Sequence, residues 1–378
     1  MKITTFEIRL HNPQPVYYAG QTVAGQVYLE LAAELDFRAI TLALHGDANV
    51  AWTEHHGSGK SRRTVHYRNN ETYLNIKLYL IGDGKEKSKL PAGGHNFPFS
   101  ITLPMNLPST FIGDHGRVLY LFKCNIDRPW KRDNNLHLYI TVVSLLDLNQ
   151  DPNAASPMTN SGSKKFGCLC CTTGPLSATL SLPKLGYVCG ETIFFSASIE
   201  NLSNKVMTKS TIKLIERDIF ISARGKQRHS NRIILTHQEE TIAPGASFTW
   251  SNVGLLIPPL PPSQLIYCNI IDIIYTVELS VDPSGIGFDL DVPVNITIGT
   301  IPLRQQYQHI NYQYQPDANA PPPAIGAPPP DMSAPPPPSY GEVAHGGAAM
   351  EGTEGEGNEV QGGGTYAPSY PTYAFNKS

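Results

Sequence analysis

The sequence predicts an all-β protein, with two β-sandwich domains of immunoglobulin-like type in tandem and a disordered Pro/Gly-rich tail behind them. Three observations carry this. Apolar and polar residues alternate with a period of two along most of the chain up to about Ile298, the pattern of half-buried strands. The pattern of the first half returns, in order, in the second. Past Ile301, branched aliphatics almost vanish while proline and glycine accumulate.

In the first half Phe6 to Leu10 alternates, and Val23 to Leu31 follows the turn Tyr18-Ala19-Gly20-Gln21. Further strands are expected at Ile40 to Leu44, Tyr73 to Leu80, Phe97 to Leu103, Val118 to Cys124 and Leu136 to Leu146. Turn residues separate them at intervals of roughly ten to twenty residues, the spacing of a sandwich or barrel. No long helical period with caps competes with this. The small polar run Asn149 to Ser163 reads as a linker. A second strand series begins near Leu176.

The two series match in four blocks. Tyr18-Ala19-Gly20-Gln21-Thr22 parallels Val188-Cys189-Gly190-Glu191-Thr192, and Thr41-Leu42-Ala43-Leu44 parallels Thr211-Ile212-Lys213-Leu214. Phe97-Pro98-Phe99 with Leu103-Pro104 parallels Phe248-Thr249-Trp250 with Ile257-Pro258. Leu119-Tyr120 with Asp127 parallels Ile274-Tyr275 with Asp282. Two copies of one sandwich account for this order. The expected division is 1–150 for the first sandwich, 151–173 for the linker, 174–303 for the second sandwich and 304–378 for the tail. With prolines at 321–323, 328–330 and 335–338, the tail lacks the apolar surface to offset its ordering entropy.

The net charge is −3, with 29 Lys and Arg against 32 Asp and Glu. The tail from Arg304 holds two basic and seven acidic residues, so 27 and 25 remain for the body, a balance of +2. Neither part has the basic excess of a nucleic-acid binder. The start has no apolar leader and no run approaches a membrane span, so the six cysteines are expected as free thiols of a soluble cytosolic protein.

The sharpest motif is Pro337-Pro338-Ser339-Tyr340. A polyproline II segment is partly preformed, and WW domains offer an aromatic-lined groove for its prolines. Its threefold turn returns Tyr340 to the face that carries Pro337, where the ring and hydroxyl meet a neighbouring pocket. Ala367-Pro368-Ser369-Tyr370 is a candidate second WW ligand through Pro368 and Tyr370, but lacks the first proline. Cys168, Cys170 and Cys171, beside Lys164, Lys165 and Phe166, read either as inert thiols or as lipidation sites. They lack the spacing and the fourth ligand of a metal site. Ile286 and Phe288 lie in the Ser284 to Phe288 loop, which is either a core-directed hairpin or a membrane-edge loop. Basic residues gather at Lys60, Arg62 and Arg63, at Lys85, Lys87 and Lys89, and at Arg224, Lys226 and Arg228, all in expected loops. They read as solvated loops or as contacts for acidic tails and anionic lipid. No nucleophile elbow, zincin, P-loop or dinucleotide fingerprint is present. His55-His56 beside Gly57-Ser58-Gly59 reads as a mobile loop. No enzyme activity, cofactor or metal is expected.

Together these strings resemble the arrestin-domain-containing proteins, the α-arrestins. The matching residues run from Leu90-Pro91-Ala92-Gly93-Gly94-His95-Asn96-Phe97-Pro98-Phe99, through Gly116-Arg117-Val118-Leu119-Tyr120, to Asp127-Arg128-Pro129-Trp130. In the second half they are Gly186-Tyr187-Val188-Cys189-Gly190-Glu191, Ile257-Pro258-Pro259 with Tyr275, and Ile298-Gly299-Thr300-Ile301-Pro302-Leu303. The resemblance implies two arrestin-like sandwiches. It also implies a cytoplasmic adaptor recruited to plasma membrane and endosomes, which binds membrane-protein cargo. Its tail motifs would recruit WW-domain ubiquitin ligases of the HECT type. The alternative is a retromer-like scaffold without a ligase, which has no use for the tail motif.

Overall fold

The computed structural model describes residues 2–58, 61–129, 133–166, 174–239, 241–285, 289–304, 350–351, 358–361, 365–373 and 375. In the first domain the main strands are β1 (Ile3–Leu10), β2 (Val16–Tyr18), β3 (Thr22–Leu31) and β4 (Ala39–His56). They continue with β5 (Arg63–Gly82), β6 (Gly93–Thr102), β7 (Gly116–Asp127) and β8 (Asn134–Val143). One sheet has the order β1-β3-β6 and the other β2-β8-β7-β4-β5. Alternation does the sorting: along β3, Val23, Val27, Leu29 and Leu31 are buried while their neighbours face outward. Phe99 of β6 and Phe122 of β7 bring rings from the two sheets to 5.5 Å.

The second domain contains β9 (Met158–Lys165), β10 (Pro175–Leu182), β11 (Gly186–Val188), β12 (Thr192–Asn201) and β13 (Met207–Ile221). It ends with β14 (Gln227–Glu239), β15 (Ser247–Leu256), β16 (Ile271–Pro283) and β17 (Leu290–Gly299). Its sheets run β9-β10-β12-β15 and β11-β17-β16-β13-β14. The second order reproduces β2-β8-β7-β4-β5 strand for strand, down to the short parallel pair at its edge: β2 on β8, β11 on β17.

The repeat also holds at the level of single bonds. Gly20 and Gly190 take φ of 87° and 86°, a left-handed conformation that suits glycine. The next side chain closes each turn, Gln21 accepting from the Tyr18 amide at 2.7 Å and Glu191 from the Val188 amide at 3.2 Å. Buried Tyr120 donates to the Pro108 carbonyl at 2.7 Å, and buried Tyr275 lies 2.9 Å from that of Pro261. Tyr120→Phe strands the Pro108 carbonyl in the core, so we expect a loss of about 1–3 kcal/mol, read as a lower urea midpoint with unchanged slope.

Several segments differ from the sequence expectation. Within the expected linker, Met158–Lys165 pairs with β10. Its small polar residues show no apolar face, and hydroxyl pairs hold it instead: Thr159–Ser181 and Ser161–Thr179 at 3.0 Å, Ser163–Ser177 at 3.2 Å. The expected loop around His55 is the end of a long hairpin, in which β4 and β5 pair as far as His56 and Arg63. Arg63, Lys89 and Arg228 likewise lie in strands, not loops: Arg63 opens β5, Lys89 sits in the short Ser88–Leu90 strand and Arg228 in β14. The distal part of the long hairpin reaches the second domain. There Asn69 donates to the Ile221 carbonyl at 3.1 Å, and the Ala223 amide donates to that of Arg68 at 3.0 Å. Both Asn269 donors meet the Glu71 carboxylate at 3.0 Å.

Candidate functional site

The two domains meet around Phe220, whose ring packs 6.4 Å from Phe111 and edge-on to His115 at 5.6 Å. Beside this contact β13 departs from its counterpart β4. Inward positions Ile212, Leu214 and Phe220 are apolar, but Glu216 and Asp218 occupy the same face and are fully buried. With the offset of 170 seen in the repeat, these are the positions of Gly46 and Ala48 in the first domain. In β4, Gly46 stands opposite Tyr120, and a Cβ there would come within 2.5 Å of its ring. In β13, Glu216 stands opposite Tyr275, whose hydroxyl lies 3.0 Å from Oε2.

Arg232, the cross-strand partner of Glu216 on β14, donates to its Oε1 at 2.7 Å. Its other terminal nitrogen is 3.8 Å from Asp114 of the first domain, and Asp114 also accepts from the Ser230 hydroxyl. Nearby, burial holds His115 below the usual imidazole range, so its neutral Nε2 accepts from Arg228 Nε at 2.9 Å. One side of the interface is therefore ionic and charge-specific.

Burial, the Glu216 charge and a hydrogen bond to Glu216 push the Asp218 carboxyl far up, to about 8, against the opposing pull of Arg232. Unfolded aspartate ionises near 4. Between those values the unfolded chain binds fewer protons, so this residue's contribution to stability falls as pH rises from about 4 to about 8. Thermal melts across that window are expected to flatten in Asp218→Asn, and an unchanged slope would assign the drop to other groups.

On the same interface lies the end of the chain. Asn358–Val360 pairs in parallel with Asn135–His137 of β8, and the Gln361 amide side chain brackets both backbone groups of Ile8, at 2.7 and 2.8 Å. Tyr366 stacks on Tyr139 at 5.0 Å, and its hydroxyl is 3.0 Å from Thr141 Oγ1, which also accepts from the Ser369 amide at 3.2 Å. Tyr370 is 2% exposed and donates to the Thr110 carbonyl at 2.6 Å. The Tyr373 amide donates to the Cys189 carbonyl at 2.9 Å and its hydroxyl to that of Thr300 at 2.7 Å. Gly190 makes this approach possible, because a Cβ there would sit 2.1 Å from the Tyr373 carbonyl oxygen. The tail thus bonds Thr110 and Thr141 of the first domain and Cys189 and Thr300 of the second.

Of the residues singled out from sequence, the structure brings Pro368 and Tyr370 into this cleft, both buried. They were expected in a solvated tail. Tyrosine rings provide the apolar surface that the absence of branched aliphatics hid. Pro337, Pro338 and Tyr340, the cysteines Cys168, Cys170 and Cys171, and the loop residues Ile286 and Phe288 lie outside the described residues. Of the remaining thiols, burial pushes Cys124 and Cys189 up to about 12, which keeps them protonated and unreactive. Among the described residues no cluster with metal-ligand composition forms, and no helix is long and apolar enough to cross a membrane. The acid–arginine cluster was missed in the sequence. Its signal was present as two acids on the apolar face of an alternating strand, with Arg232 at hairpin distance.

Two sandwiches with one strand order, joined through an ionic interface, define an arrestin-type double domain. Residues 6–149 match the model of the arrestin (or S-antigen) N-terminal domain, and 172–303 that of the C-terminal domain. Among curated relatives, "Arrestin domain-containing protein 17" of Caenorhabditis elegans is 35% identical over 320 residues, covering 81% of this chain and 72% of its own length. "Arrestin domain-containing protein 1" of Mus musculus is 31% identical, with 80% and 67% covered, and "Arrestin domain-containing protein 4" of Homo sapiens is 31% identical, with 76% and 68% covered. The chain belongs to the arrestin family, among its arrestin-domain-containing members. That places it in a family of non-enzymatic adaptors.

Proposed function

We propose that this chain is a trafficking adaptor that brings WW-domain ubiquitin ligases of the HECT type to membrane-protein cargo, promoting cargo ubiquitination, endocytosis and endosomal sorting. The observation that carries the reading is Pro337-Pro338-Ser339-Tyr340 placed behind an arrestin body. Tethering raises the ligase's effective concentration at cargo lysines, so the adaptor needs no chemistry of its own. The protein works in the cytoplasm and is recruited to plasma membrane and endosomes. Acylation at Cys168, Cys170 or Cys171 and insertion of Ile286 and Phe288 are the membrane contacts this reading offers.

The test is cargo ubiquitination in cells that carry either the full chain or its Tyr340→Ala variant at equal abundance. Ubiquitination that depends on Tyr340 supports the adaptor mechanism. Equal ubiquitination with both chains would overturn ligase recruitment through this motif and favour a scaffold.

A further inference from the structure

We propose that the interdomain cleft is a binding site for an extended peptide of the form Tyr-x-x-x-Tyr-x-x-Tyr, which residues 365–373 of this chain fill in cis. The three rings have three distinct receivers: the Thr141 hydroxyl, the Thr110 carbonyl and the Thr300 carbonyl. Two backbone amides of the peptide, Ser369 and Tyr373, are bound as well. The receivers belong to both domains, so the site exists only when the domains hold their present relation. Cys189, Leu260 and Gly299 complete the wall around Tyr370 and Tyr373. Pro368 and Pro371 stiffen the ligand and lower the cost of ordering it.

The chemistry is selective. Carbonyl receivers demand a donor, which a neutral phenol supplies and a phosphorylated one lacks. Burial keeps the Tyr370 phenol protonated, and the buried Glu216 carboxylate lies within electrostatic range of it. A phosphate on Tyr370 would bring nearly two negative charges toward the Glu216 carboxylate and has no room in a buried site. The cleft therefore accepts unmodified tyrosine peptides and rejects their Tyr370 phosphoforms. In the docked state Pro368 and Tyr370 are also closed to any other protein. That they would otherwise serve a WW domain rests on the function proposed above, whereas the cleft's affinity for the peptide does not.

The test uses the full chain with Tyr366→Ala, Tyr370→Ala and Tyr373→Ala, which empties the cleft while leaving the sandwich residues intact. A fluorescent peptide of residues 363–376 is titrated into this variant and into the wild-type chain. Because the tethered segment competes at an effective concentration in the millimolar range, the variant is expected to bind the peptide about tenfold or more tightly than wild type. The peptide phosphorylated on Tyr370 is expected to bind neither chain. Equal binding to both chains, or binding of the phosphopeptide to the variant, overturns the proposal. Hydrogen exchange of the wild-type chain provides a second readout that depends on no variant. Slow exchange at the Ser369 and Tyr373 amides supports cis occupancy, and exchange at unprotected rates overturns it.

Discussion

Tyr340→Ala is expected to weaken binding of the full chain to a tandem WW-domain fragment by about 30-fold or more, the loss of a hot-spot contact of ~2 kcal/mol. A ligand bound as polyproline II repeats every three residues, so its first and fourth positions share a face, and removing the ring is expected to empty one of the two pockets a WW domain offers such a motif. Tyr340→Phe keeps the ring and loses only the hydroxyl, and should cost about fivefold, the worth of one hydrogen bond. Pro368 and Tyr370 are buried in the cleft and offer little compensation. Calorimetric titration of the three chains separates these levels. Wild-type affinity in the alanine variant would mean that the second motif leaves the cleft and carries the ligase.

Arg232→Met is expected to destabilise the fold by about 3–5 kcal/mol, because it leaves the Glu216 carboxylate buried without its counter-charge. Glu216 is fully buried, its nearest cation is Arg232 at 2.7 Å, and Asp218 beside it adds a second acid. Adding Glu216→Gln to Arg232→Met removes the orphaned charge and should restore part of the loss, since a buried pair replaced as a unit is often nearly neutral. Urea midpoints of the single and double variants give the comparison. A single variant with the wild-type midpoint would show that Glu216 simply takes up a proton. The same substitution also tests the domain interface, because Arg232 faces Asp114 across it.

Much of the architecture was legible in the chain. Strict alternation along Val23 to Leu31 and the repeated Gly20 and Gly190 turns each follow from local physics, since a period of two has one buried face and a left-handed turn favours glycine. The Met158–Lys165 strand was not legible. Threonine, asparagine, serine and glycine have no apolar face to reveal, and the strand exists because β10 offers it an open edge. The hairpin around His56 escaped for a related reason. The other domain holds it midway through Asn69 and Glu71, and Arg228 stands 4.0 Å from Glu54 near its far end; no local pattern encodes those contacts.

The amino-acid sequence by itself determined the all-β class, the duplication and the Pro-Pro-x-Tyr spacing at Pro337 to Tyr340, because each rests on a period, a turn residue or a short linear spacing. Only the tertiary structure decided the fate of Glu216, Asp218 and Tyr370. Acids in a strand read as solvent-facing until the register sets Glu216 against Tyr275 and Arg232, with Asp218 two positions along on the same buried face. A tyrosine in a proline-rich tail reads as accessible until a cleft assembled from both domains places the Thr110 carbonyl 2.6 Å from its hydroxyl. Burial of a polar group depends on partners far away in the chain, Thr110 and Tyr370 being separated by 260 residues, and such partners are brought together by packing rather than by pattern.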